Sequence, residues 1–520
     1  MGDGTGRERS WWGWGWADQA VDAEGCAKLA RRVGPFLPLD GELMPVPAVP
    51  ELPPSRLRPP ARVAALCRDD ARTRAAHAYG RAYRDVVRLL HGVLDNPPDL
   101  VAYPRDEQDV IAVLDWAADA GTPVVPFGGG TSVVGGVEYR GGGPWLSLDL
   151  TGLSGVVEVD EVSRAALIRG GTFGPDLEDA LRPYGLTLRH FPQSFEFSTF
   201  GGWLATRAGG HYATGYTHID DLVEAMRVVT PAGIAQSLRV PASGAGPSPD
   251  RFWLGSEGIL GVITEGWARV QQRPTFRAGS ALRFIEYADA VRAVRAVAQS
   301  GLRPANCRLL DPLEAMLGAA AADGSSRLLL GFESADHPVD ALARAVELCR
   351  EHGGVVEDAA QDSTGRWRDT FVGAPYLRDG LARLGVVVET FETACTWETF
   401  EPLHAAVIEA VASAGESETG SPALVTCRFT HVYPDGPAPY FTVYAAGRRG
   451  GEVAIWDALK RAAGDAIAAN GGTITHHHAV GRDHLPWYTG QRPEPFALAL
   501  RAAKSAVDPA GVLNPGVLLP

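Results

Sequence analysis

The chain has 520 residues, more than one compact core accommodates, so roughly two to four domains are expected. A formal net charge of −14 argues against a nucleic-acid binder, which would show a basic face, while leaving room for a local basic pocket for an anionic substrate. Hydrophobic residues at 45% and charged residues at 21% are ordinary for a soluble globular protein and exclude a fibrous or wholly disordered chain.

Residues 1–60 are rich in Trp and Pro. Trp11, Trp12, Trp14 and Trp16 form a patch too apolar to stay exposed, so they are expected to pack over another part of the molecule. Seven prolines between Pro45 and Pro60 predict an extended connector. Few breakers interrupt Arg62 to Leu90, which predicts helix. From Pro98 short elements alternate: a strand at 100–103, a helix at 106–120 with Asp106 as N-cap, and an apolar strand at 122–127. Strands at 146–150, 156–159 and 165–168, a helix at 173–184, and strands at 222–229 and 261–270 follow. Gln271 to Pro274 reads as a boundary. Beyond it, strands at 281–284, 308–310 and 327–332 alternate with helices at 289–299, 312–321 and 339–352. Gly415 to Ser421 reads as a flexible surface loop, and strands at 424–431 and 440–445 precede a helix at 452–470. The pattern is α+β, without an internal repeat.

Six cysteines form no C-x-x-C pair, and no apolar run reaches membrane-spanning length. No signal-peptide core follows Met1 and no peroxisomal tripeptide closes the chain, so free thiols and a cytoplasmic location are expected. Three of the 48 basic side chains are Lys (Lys28, Lys460, Lys504), an Arg bias of the kind a GC-rich genome produces.

Pro126-Phe127-Gly128-Gly129-Gly130-Thr131-Ser132 ends a strand in three glycines and two hydroxyls, which lets backbone amides approach a pyrophosphate. Alone, such a loop is as readily a tight turn, and it fits neither the Walker A nor the Rossmann pattern. Two further small-residue segments change the reading. One runs through Gln193, Ser194, Glu196, Ser198, Thr199, Gly201 and Gly202 to Thr206, Arg207, Ala208 and Gly209; the other is Glu257-Gly258-Ile259-Leu260-Gly261-Val262-Ile263. Three such loops at these separations suit a long dinucleotide.

The spaced strings PFGGGTS, STFGG and GSEGILGVI resemble those of the FAD-binding PCMH (vanillyl-alcohol oxidase) family. The resemblance implies an α+β fold with a two-subdomain PCMH-type FAD-binding domain, a mixed α/β cap domain and a helical N-terminal region. It implies that the first loop holds the pyrophosphate and that the later segments line the flavin. Covalent members carry a His inside the first loop; Thr131-Ser132-Val133 stands there, so non-covalent FAD is expected.

Over nearly the whole chain the resemblance narrows to the alkyldihydroxyacetonephosphate synthase branch. WWGWGWAD, FEFSTFGGWLATRAGG, VTPAG, CRLLD, APYLRDG, VVETFETACTW, THHHAVGRDHLPW and VDPAGVLNPG occur in order. That family exchanges the fatty acid of an acyl-dihydroxyacetone phosphate for a fatty alcohol, making an ether lipid without net redox change, through a flavin adduct.

His476, His477 and His478 read first as chemistry: imidazoles suited to proton transfer. On one strand their side chains would alternate, so all three cannot face one metal and no metal site is expected; His476 and His478 would point the same way. The resemblance makes the triplet part of the active site, although Ala479 stands where the family has Gly. It implies that Tyr440 is the acid–base Tyr, with Tyr444 the nearest rival. It implies that Arg378 binds substrate, a role that suits a guanidinium and a phosphate, and that Arg308 is a second such Arg. Arg428 is a further candidate. Gln193 replaces an Asp of the family, and His431, between Thr430 and Val432, replaces a Gln.

The expected organisation is an N-terminal region at 1–95, an FAD-binding domain at 96–274, a cap at 275–490 and a C-terminal segment at 491–520 that returns to the FAD domain. Expected partners are a small-molecule or lipid substrate, no nucleic acid, a transient membrane surface and a second copy of the chain. The alternative activity is an FAD-dependent oxidase or dehydrogenase of a 2-hydroxy acid or related alcohol. Such enzymes often carry Glu-His-Gly, whereas His477-His478-Ala479 stands here.

Overall fold

A computed structural model describes residues 7–39, 42–216, 218–318, 323–337, 339–357 and 363–520. Asp106 accepts a hydrogen bond from the Asp109 amide and starts the helix Glu107–Ala120, which Gly121 ends at φ 60°. The chain then enters strand Val124–Phe127, which delivers the glycine loop. This strand lies in a four-stranded sheet ordered Cys67–Arg68, Leu100–Ala102, Leu146–Asp149, Val124–Phe127, with the last three parallel. The C-terminal segment adds to the open side of Val124: its amide donates to Val512 O at 2.8 Å, and the Asn514 amide donates to Val124 O at 2.8 Å.

A five-stranded antiparallel sheet follows, ordered Val156–Asp160, Ala165–Arg169, Val262–Arg269, Val223–Thr230, Gly233–Gln236. The chain leaves it through Gln271–Gln272, paired with Leu186–Thr187. Among the described residues, a seven-stranded antiparallel sheet then takes every strand between 276 and 446. Its order is Val355–Val356, Phe276–Phe284, Ser326–Ser334, Asn306–Leu310, Leu424–Val432, Pro437–Ala446, Val386–Glu392. Among the described residues no helix is long and apolar enough to cross a membrane.

The four indoles are all buried. Trp11 and Trp12 join the core shared by Tyr79, Val86, Leu381 and Phe441. Trp14 and Trp16 meet Phe197 edge-on at 5.8 and 5.4 Å between ring centres. The N-terminal segment is thereby clamped against the second glycine-rich segment.

Two expectations fail. The helix expected over 62–90 is broken into Ala61–Ala64, Ala71–Ala76 and Tyr83–Leu90. Asp70 caps a new start, and at Gly80 the backbone passes so close to the first glycine loop that a Cβ would lie 2.2 Å from Ser132 O. The loop expected at 415–421 is instead the end of helix Phe400–Thr419. Gly415 is buried there because Ala423 packs against it, and Gly420 at φ 78° makes the turn. Residues 319–321 of the helix expected at 312–321 lie outside the described residues; the helix runs over Pro312–Leu317.

Candidate active site

The glycine loop and the segment around Phe197 are pressed together. A Cβ on Gly129 would sit 1.6 Å from Phe197 O, and one on Gly128 would sit 2.3 Å from Thr199 Oγ1. No side chain fits between them, so the backbone of both segments is left facing a single cavity of about 860 Å³. Pro126, Phe127, Gly128, Gly129, Gly130, Thr131 and Ser132 all line it. From the second segment Gln193, Ser194, Ser198, Thr199, Gly201 and Gly202 line it, followed by Thr206, Ala208 and Gly209. Glu257, Gly258, Gly261, Val262 and Ile263 close this end.

Backbone amides, hydroxyls and small residues are the donor set that a pyrophosphate and its ribose and ribityl hydroxyls require, and the cradle fits FAD. Burial pushes Glu257 up to about 7, against the pull of the Val480 and Gly481 amides, so near neutral pH the carboxyl within these segments carries only part of its charge against a phosphate. Arg9, half-buried beside the loop, donates to Gly129 O at 3.0 Å and brings positive charge to it.

Four residues of these segments do other work. Glu196 accepts from Trp16 Nε1 at 2.5 Å. Arg207, in the left-handed region at φ 54°, ends helix Phe200–Thr206 and pairs with Asp220. Ile259 and Leu260 are core residues.

The other end of the cavity is one face of the seven-stranded sheet. Glu392, Tyr440 and Arg428 are direct cross-strand partners on adjacent strands, and Arg428 also pairs with Leu310. Directly paired residues share a face, as do residues two apart, so Arg308, two residues from Leu310, lies on the same face. The Arg428 guanidinium lies 4.0 Å over the Tyr440 ring and donates to Glu314 at 2.7 Å. Arg308 is fully buried with both Nη atoms 3.4 Å from His211 Nδ1. Burial first, then Arg428, pull its pKa well below the usual guanidinium value. Burial raises Tyr440 while Arg428 opposes that shift.

Arg378 also lines the cavity, but its Nε and Nη2 donate to Asp379 at 3.0 and 2.7 Å and its Nη1 donates to Arg81 O at 2.6 Å. Tyr444 lines the cavity one rung beyond the Thr426–Thr442–Thr390 row.

The histidine triplet is not on a strand, so the alternation expected of it does not apply. The segment wraps the carboxylate of Glu392, which accepts from the His476, His477 and His478 amides and from Thr475 Oγ1. Burial opposes charge on Glu392, and the histidines and Thr475 that face it more than offset this, holding it below the usual carboxylate range. His477 and His478, rather than His476 and His478, line the cavity. Their rings lie 6.3 and 5.5 Å from that of Tyr440, and burial lowers them to about 3 and about 4, so both are neutral imidazoles. His476 turns away and meets Tyr433 Oη at 2.9 Å. Ala479 sits at φ 71°, a conformation that favours Gly, which accounts for the glycine usual at this place.

Three participants were missed in the sequence. Glu392 was detectable as one of two carboxylates, with Glu389, in the largely apolar strand Val386–Glu392. Arg9 and Glu314 carried no signal, because each acts on a segment remote in sequence.

Residues 98–239 match the FAD binding domain family, and residues 273–518 match the family of C-terminal domains of FAD linked oxidases. The alkyldihydroxyacetonephosphate synthase of Caenorhabditis elegans is 31% identical over 481 residues, covering 85% of this chain and 80% of that protein. The synthase of that name from Dictyostelium discoideum is 30% identical, covering 87% and 78%. A solved structure of an alkyldihydroxyacetonephosphate synthase superposes with a TM-score of 0.83 at 25% identity, covering 99% of this chain and 100% of that one.

Proposed function

The chain belongs to the alkyldihydroxyacetonephosphate synthase family, and from that premise we propose that it is an FAD-dependent enzyme replacing the acyl group of acyl-dihydroxyacetone phosphate with a fatty alcohol. One observation carries the reading. The same cavity that the flavin loops line continues past Tyr440, His477, Arg308 and Arg428 into an apolar part lined by Leu29, Val33, Phe36, Leu317, Leu381 and Leu424. A hydride-accepting enzyme for a small hydroxy acid has no use for that apolar arm, whereas two long chains do.

Bound FAD supplies an electrophilic ring system, held non-covalently in this reading. The protein does the rest. Arg308 and Arg428 offer guanidinium donors to the phosphate, and their burial strengthens every such contact. Tyr440 and the neutral His477 and His478 lie together on the route between flavin loops and sheet, where a proton can be taken from the substrate carbon or given to the leaving carboxylate. Arg378 stands at the cavity wall as an ion pair with Asp379.

The reading includes transient contact with a membrane surface through Phe36 and Leu377, both exposed and both at the cavity. It also includes a homodimer in the cytoplasm, which sedimentation and fractionation test. The decisive assay adds acyl-dihydroxyacetone phosphate and a fatty alcohol to the yellow holoenzyme under anaerobic conditions. Release of fatty acid with the flavin spectrum unbleached is expected; bleaching by a simple 2-hydroxy acid would overturn the reading.

A further inference from the structure

His431 reaches the site by an irregularity. Along strand Leu424–Val432, residues two apart share a face, and Arg428 faces the cavity. The register with strand Pro437–Ala446 slips between Phe429 and His431, a β-bulge, so His431 pairs with Ala438 and turns to the same side as Tyr440. It lands between the imidazoles of His476 and His477.

The three rings form a nearly equilateral triangle. The centres are 5.3 Å apart for His431 and His476, 5.5 Å for His431 and His477, and 5.2 Å for His476 and His477. A tetrahedral ion at Zn–N distances of about 2.0–2.1 Å holds pairs of imidazole centres about 5.3 Å apart. One nitrogen from each ring lies within 4.8 Å of the others, and His476 Nδ1 is 3.0 Å from His477 Nδ1. His431 is 1% exposed, and its Nδ1 has no hydrogen-bond partner. Glu392 lies 3.7 Å from His477 Nδ1, so a carboxylate's negative charge stands beside the cluster and favours a cation there.

We propose that His431, His476 and His477 form a binding site for one borderline divalent transition metal ion, zinc being the probe, with its fourth position open to the cavity. Three nitrogens without oxygen ligands select against Mg²⁺ and Ca²⁺. His431 and His477 both line the cavity, so a bound ion faces the place where the carboxylate or phosphate of a substrate enters. The site rests on ring geometry and not on the alkyl-transfer reading, so either can fail without the other.

The test uses the purified holoenzyme, stripped with a chelator and titrated with Zn²⁺ against a chromophoric zinc indicator. One equivalent is expected to bind, and His431→Gln is expected to weaken it at least 10-fold with the flavin spectrum unchanged. His337→Gln, at an exposed histidine outside the cavity, is expected to leave the affinity as it was. A wild-type protein that takes up no stoichiometric zinc, or a His431→Gln protein that binds it equally well, overturns the proposal.

Discussion

Glu392→Gln isolates what one buried carboxylate does for the histidine segment. In the wild type Oε1 accepts from Thr475 Oγ1 at 2.7 Å, from the His478 amide at 2.8 Å and from the His477 amide at 3.0 Å, while Oε2 accepts from the His476 amide. A Gln placed with its oxygen at Oε1 keeps three of these as neutral bonds and turns an NH₂ against the fourth donor. Bonds to a charged acceptor contribute about 1.5–3 kcal/mol and neutral ones about 0.5–1.5 kcal/mol, while a buried donor left without an acceptor costs about 1–3 kcal/mol. Relief of burying the charge offsets part of this, leaving a net loss of about 2–4 kcal/mol. The segment then moves, and a displacement near 1 Å of His477 and His478 is expected to lower turnover by about 100-fold. The assay is fatty-acid release with flavin absorbance as the check on folding, together with a thermal midpoint. A variant with wild-type turnover and midpoint would refute the assignment of Glu392 as a positioning residue.

Gly129→Ala is expected to yield colourless protein, because its Cβ would meet Phe197 O at 1.6 Å; normal flavin content would sink the cradle. Tyr440→Phe is expected to keep FAD and lose turnover by about 100-fold or more, read by absorbance and product release. Arg308→Met is expected to raise KM for the phosphate substrate by roughly 10- to 100-fold, the loss of one charged hydrogen bond, and more than Arg378→Met does, since Asp379 already holds Arg378. Burial raises Glu257 to about 7, above its ordinary 4.5, so between these values the folded state holds a proton that the unfolded state has released. Stability therefore falls as pH rises through that window, by at most about 3 kcal/mol, and is level above it; Glu257→Gln is expected to flatten the denaturation-against-pH curve, and an unchanged slope would exclude the effect.

Much of the flavin half was legible because its signals are local. Strand Val124–Phe127 runs straight into its glycines, and Asp106 caps its helix by its own side chain. The fragmentation of 61–90 was not legible, since it depends on Gly80 meeting Ser132 across the fold. Arg308, Tyr440 and Arg428 could be named singly, but their common face requires strand pairings that neighbouring residues do not encode. The histidine triplet was misjudged for a related reason. Its geometry is dictated by Glu392, 84 residues away from His476, and not by the β-periodicity that a short run of like residues invites.

The departure at Ala479 is explained by that carboxylate and a second one. Ala479 must hold φ 71° so that the chain, after giving three amides to Glu392, can turn and deliver the Val480 and Gly481 amides to Glu257. Residues 476–481 therefore bridge two buried carboxylates, one at the sheet end of the cavity and one at the flavin end. A conformation of L-residues that costs about 1–2 kcal/mol persists here because five hydrogen bonds over-determine it. His477 and His478 are carried on that bridge, so their position relative to Tyr440 is set from both sides of the cavity at once. Rigidity of this kind suits a site that must hold proton-transferring groups still while long apolar chains enter and leave beside them.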